Sequence, residues 1–114
     1  MAKLPTETTA TINRLKQQAL DIVDQALAVE LTILNLFGET EATIVCMDEM
    51  KNVSEDAASS FSQLSTLQLQ IAQSQPVGSA DMLELLAQAI DLTEAMAPAL
   101  ERSIQEAKMD YNLL

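Results

Sequence analysis

The sequence predicts an all-α protein: an up-down-up bundle of three long antiparallel helices that completes its core by dimerisation. Its 114 residues fit one domain. Apolar residues make up 48% of the chain and aromatic residues 3%, a composition typical of packed helices rather than of β-sheets. Two glycines and three prolines leave few positions for turns, so the elements must be few and long.

The first helix is predicted from about residue 7 to residue 37, between Thr6 as a candidate N-cap and Gly38 as a left-handed C-cap. Its apolar residues keep an unbroken 3,4 spacing, which is a heptad seam: Ile12, Leu15, Ala19, Ile22, Ala26, Val29, Ile33 and Leu36. A second apolar line widens this face beyond that of a two-stranded coil: Leu20, Val23, Leu27, Leu34 and Phe37.

The second helix is predicted from about residue 40 to residue 75. Its seam has the same spacing: Cys46, Met50, Val53, Ala57, Ser60, Leu64, Leu67 and Ile71. Residues 51–62 are rich in poor helix formers, and Asn52 with Glu55 resembles a capping box. A break near 51–55 is therefore the alternative to one long helix.

The third helix is predicted from about residue 79 to residue 112, with Ser79 as its N-cap. Its seam is again 3,4 spaced: Leu83, Leu86, Ile90, Thr93, Ala97, Leu100, Ile104, Ala107, Tyr111 and Leu114. Pro98 lies inside this pattern, and because the spacing continues in phase beyond it, we expect a kink rather than a break. Short linkers at Gly38 and at 76–78 make neighbouring helices antiparallel.

A few apolar side chains fall outside these lines, namely Leu31, Met47 and Leu69. Isolated exposed Leu and Met are ordinary on protein surfaces. The wide apolar faces nevertheless favour a partner surface, most simply a second copy of the chain.

Two carboxylates stand among apolar residues. Glu30 occupies the second apolar line between Leu27 and Leu34, where a charge needs a partner. The alternatives are a head group that reaches solvent or an ion pair with Lys51 or Lys108. Glu49, beside Cys46 and Met50, raises the same question. The candidate interaction surface is accordingly Glu30, Leu31, Met47, Glu49 and Leu69.

The residue types argue against an enzyme. The chain has no histidine, one cysteine and two separate glycines, which excludes His-dependent nucleophile systems, cysteine-based zinc sites and Gly-rich phosphate loops. Carboxylate pairs such as Asp21/Asp24 and Asp91/Glu94 are expected to be solvated, since an oxygen-ligated metal site needs six or more converging ligands. We expect no cofactor and no metal.

Charge separates the remaining classes of function. The net charge is −11, and Lys51 is the only cation between Gln17 and Glu101. Direct binding to a nucleic-acid backbone is therefore not expected, and no stretch is apolar enough for a membrane span. Cys46, as a single cysteine, fits a reducing compartment, and we expect a cytoplasmic protein.

These observations predict a non-catalytic acidic helical module for protein–protein interaction: an adaptor, an assembly factor or a small chaperone. It is expected to form a dimer and to bind a basic or amphipathic protein partner. The alternatives are an acidic decoy that mimics nucleic-acid phosphates and an amphipathic coat for lipid or granule surfaces.

Overall fold

The computed structural model of the protein describes residues 4–74 and 80–113, which form a three-helix bundle. The helices are α1 (Thr6–Phe37), α2 (Glu41–Gln73) and α3 (Ala80–Asp110). The molecule is a rod of 55 × 19 × 17 Å. Among the described residues, no helix is both long and apolar enough to cross a membrane. The predicted bundle of three long antiparallel helices is confirmed.

Polar contacts between the helices show their relative directions. Arg14 Nη2 lies 3.6 Å from Glu94 Oε2, and Gln18 donates a hydrogen bond of 3.1 Å to Glu101, so α1 and α3 are parallel. The short connection after Gly38 turns α2 back along α1. Lys16 near the start of α1 consequently donates a 3.3 Å hydrogen bond to Gln68 near the end of α2.

The start of α1 differs from the prediction. Thr6 is the first helical residue rather than the N-cap, and Pro5 before it makes no side-chain capping hydrogen bond. The ring of Pro5 fixes its φ at −57°, and its carbonyl accepts the first intrahelical bond, from Thr9 N–H at 3.1 Å. Proline geometry therefore leads the chain into the helix without a polar cap.

The turn between α1 and α2 has caps on both sides. Gly38 has a positive φ of 70°, as its predicted C-cap role requires, and its N–H donates to Leu34 O at 2.9 Å. Thr40 begins α2 through a capping box with Thr43, in which each side chain bonds the other's backbone N–H. This capping box was not predicted from the sequence.

The second helix is continuous, so the alternative of a break near 51–55 is wrong. Val53, Ser54 and Ala57 are buried, and Ser54 Oγ donates to Lys51 O at 2.8 Å. A buried face stabilises the helix here despite weak propensities, and the serine hydroxyl is satisfied within the helix. Asn52 and Glu55 lie exposed on its outer side.

The third helix also continues without a break past Pro98, which is exposed. The lost backbone hydrogen bond therefore faces water. The predicted cap Ser79 and the last seam residue Leu114 lie outside the described residues. After α3 the chain reverses at Asn112, which has a φ of 56°, and Leu113 N–H donates to Lys108 O at 2.7 Å.

The core follows the predicted seams. Seven of the eight α1 seam residues are buried, but Leu36 is 64% exposed because α1 ends one residue later. Leu83 near the start of α3 is exposed as well. Alanine is frequent in this core, which lets the helix backbones approach closely: Ala19, Ala26, Ala57, Ala89, Ala97 and Ala107.

Candidate functional site: an acidic groove

An open groove of about 420 Å³ lies between the start of α2 and the end of α3. The turn of the α2 helix that faces it brings Val45, Cys46 and Glu49 to one wall, since residues three and four apart share a helix face. The opposite wall comes from α3 and the residue after it: Ser103, Glu106, Ala107, Asp110 and Tyr111. We call this the acidic groove because it contains three carboxylates and no basic side chain.

The groove belongs to the more acidic half of the bundle. We call the half nearer Gly38, which comprises residues 22–56 and 101–113, the acidic half. It contains eleven acidic and three basic residues, whereas residues 4–21, 57–74 and 80–100 contain six acidic and two basic ones. The carboxylates are therefore concentrated at one end of the rod.

Two aromatic rings pack together at the Gly38 end of the bundle. The rings of Phe37 and Tyr111 have centroids 5.3 Å apart with a tilt of 53°, an arrangement that aromatic rings favour. Since Tyr111 also lines the groove, its contact with α1 holds one wall in place.

Exposed apolar side chains accompany the carboxylates. In the acidic half, Val45 on the groove wall is 69% exposed and Met109 is 62% exposed. Others in this half are Leu27, Leu31, Leu34, Leu36, Phe37 and Ile44. Most of the large apolar side chains that the bundle leaves exposed are therefore in the half that carries most of the negative charge.

Cys46 is a poor nucleophile in this setting. Its thiol is partly buried, and desolvation, Glu49 and Asp110 together raise its pKa. All three effects disfavour the thiolate, which is the reactive form. Within residues 4–74 and 80–113, no group of three or more His, Cys, Asp or Glu side chains is placed to hold a metal ion.

Glu30 lies on the flank of α1 that faces α2. It comes two heptads after Lys16, which donates a hydrogen bond to Gln68 of α2. Glu30 Oε2 is buried and has no hydrogen-bond partner. Of the two alternatives for Glu30, the ion pair with Lys51 or Lys108 is not formed: the ion pair found among the described residues joins Arg14 and Glu94.

The five residues predicted as an interaction surface do not form one patch. Glu49 lines the acidic groove, and Leu31 is exposed on α1. Met47 packs against the core, so its side chain is not free for a partner, and Glu30 is partly buried. Leu69 is exposed in the other half of α2.

The α3 wall of the groove was not predicted from the sequence. Glu106 and Asp110 are four residues apart, so they share a helix face, and this spacing was the available signal. What the spacing could not show is that this face lies against the Glu49 face of α2.

Comparison with protein-family models, with curated proteins and with solved structures finds no match. The fold defines the chain as a three-helix bundle.

Proposed function

We propose that the protein is a non-catalytic, acidic interaction module, which acts as an adaptor, assembly factor or small chaperone by binding a basic amphipathic helix of another protein. The observation that supports this most directly is the combination in the acidic half of three groove carboxylates with exposed apolar side chains such as Val45. A basic amphipathic helix carries the complementary features.

Apolar and acidic side chains contribute differently to the proposed binding. Apolar residues of the partner helix bury Val45 and its exposed neighbours, which supplies affinity. Lysines or arginines of the partner approach Glu49, Glu106 and Asp110, which raises the association rate and excludes acidic partners. The same interaction is weakened by salt, because exposed charges are screened.

The second part of the proposal is that the module is a homodimer. Its support is the set of large apolar side chains that one copy leaves exposed outside the acidic half, among them Leu69, Leu85 and Leu92. Exposed apolar surface in a bundle is commonly covered by a second subunit.

The test is binding of a designed Leu/Lys amphipathic helical peptide, measured by fluorescence anisotropy. The groove variant Glu49→Gln/Glu106→Gln/Asp110→Asn is expected to bind about tenfold more weakly, or about 1.4 kcal/mol. The control Asp81→Asn/Glu84→Gln/Asp91→Asn removes the same charge from the other half and is expected to bind like the wild type. Equal losses in both variants would contradict the proposal.

Two further measurements address the alternative functions. An acidic decoy would displace DNA-binding enzymes from DNA, and a surface coat would float with lipid vesicles at moderate salt. The proposed module does neither. The absence of charge from residues 57–73 of α2 disfavours the decoy, since a phosphate mimic needs carboxylates along an extended face.

A further inference from the structure

A long uncharged segment interrupts this acidic chain. Residues 57–80 contain no Asp, Glu, Lys or Arg, although the net charge of the whole chain is −11. In the structure, residues 57–73 form the second half of α2, at the opposite end of the rod from Gly38. Their exposed positions are mostly Ala, Ser, Thr and Gln.

This part of α2 borders a second groove. Ser62, Gln63, Thr66 and Leu67 line it together with Leu85 of α3, and its volume is about 320 Å³. Leu85 is 52% exposed, and Leu92, seven residues further along the same face of α3, is 54% exposed. We call the exposed side of residues 57–73 of α2, together with Leu85 and Leu92 of α3, the uncharged face.

Three α3 carboxylates lie near these leucines. Asp81 is four residues before Leu85 and therefore on the same side of the helix, at the end of the face. Glu84 and Asp91 each precede one of the two leucines, and adjacent residues on a helix differ in direction by about 100°. The uncharged face therefore offers exposed leucine beside neutral hydrogen-bonding groups without a charge between them.

We infer that the uncharged face is the surface through which two copies of the chain form a homodimer. The inference rests on the proposed homodimer but not on the proposed basic partner. A second copy also carries a charge of −11, so contact through the acidic half sets carboxylates against carboxylates, which disfavours association. The uncharged face reduces that repulsion and buries Leu85 and Leu92.

Symmetry makes this arrangement self-consistent. In a two-fold dimer the same patch packs on itself, and an antiparallel overlap limited to the uncharged halves directs the two acidic halves to opposite ends. The acidic groove of each copy then stays open to a partner.

Sedimentation equilibrium tests the inference. The dimer is expected to become tighter as salt rises from about 0.05 to 0.5 M, since screening reduces the residual repulsion. The salt dependence of dimerisation is thus opposite in sign to the salt dependence expected for binding of the Leu/Lys peptide. The variant Leu85→Glu/Leu92→Glu is expected to dimerise at least about a hundredfold more weakly.

The matched control is Leu31→Glu/Leu36→Glu, which adds the same charge at two exposed leucines of α1. It is expected to change the dimer constant by less than about threefold, as substitutions outside an interface do. Circular dichroism reports whether each variant is folded.

A second measurement leaves the charge unchanged. In a Cys46→Ser background, Ser62→Cys is expected to form a disulfide-linked dimer under mild oxidation, whereas Ala28→Cys on α1 is not. If Leu85→Glu/Leu92→Glu leaves the dimer constant unchanged and Ala28→Cys forms the disulfide-linked dimer, the uncharged face is not the dimer interface, although the protein is still a homodimer. A wild-type monomer at all concentrations overturns both, while peptide binding still decides the proposed function separately.

Discussion

Phe37 at the end of α1 packs against Tyr111 after the end of α3, with their ring centroids 5.3 Å apart. We expect a double-mutant cycle with Phe37→Ala and Tyr111→Ala to give a coupling free energy of about 0.5–1.5 kcal/mol, the range for aromatic pairs. Urea unfolding of the four proteins measures it. A coupling near zero would show that the rings do not stabilise each other.

The unpaired oxygen of Glu30 has a measurable cost. A buried acceptor without a hydrogen bond destabilises a protein by about 1–3 kcal/mol, so Glu30→Met is expected to raise the free energy of unfolding by about 1 kcal/mol. Glu55→Met, at an exposed position of α2, is the control and is expected to stay within about 0.5 kcal/mol of the wild type. If Glu30→Met lowers stability, the carboxylate makes a compensating interaction in solution.

The reactivity of Cys46 depends on its acidic neighbours. Because burial, Glu49 and Asp110 raise the pKa of the thiol, Glu49→Gln is expected to lower that pKa and to speed alkylation by iodoacetamide at a fixed, mildly alkaline pH. Asp48→Asn removes a neighbouring exposed charge that has no part in the shift, and its rate is expected to match the wild type. Identical rates in the two variants would contradict the role of Glu49.

The small core residues of α1 are expected to resist enlargement. Ala26 is completely buried, so Ala26→Leu is expected to destabilise the bundle by about 1–3 kcal/mol through overpacking. Ala28, two residues on, is exposed, and Ala28→Leu is expected to change stability by less than about 0.5 kcal/mol. Thermal unfolding measures the stability of both variants. Equal changes in stability would mean that the interior around Ala26 can expand.

The predicted helices and most of the core agree with the structure because heptad spacing reports directly on which side of a helix is buried. Ile12, Leu64 and Ile104 are all fully buried. The spacing fails at helix ends, where Leu36 continues the pattern but no neighbouring helix reaches far enough to cover it. Local propensity fails around Asn52, where tertiary packing maintains the helix.

The candidate site was harder to predict, because it depends on which flanks of two helices meet. Glu49 and Asp110 are 61 positions apart in the chain, and each alone resembles an ordinary solvated carboxylate. A seam identifies the buried side of each helix but not the order of the helices around the bundle axis. Predicting the groove between α2 and α3 needs the order of the helices, and the heptad spacing does not give that order.

The unequal distribution of charge gives the rod an electric dipole along its long axis, with the Gly38 end more negative. An approaching cationic protein meets a field that turns the rod before the two surfaces touch. Collisions with the proposed basic partner are therefore expected to favour the orientation in which the acidic end leads.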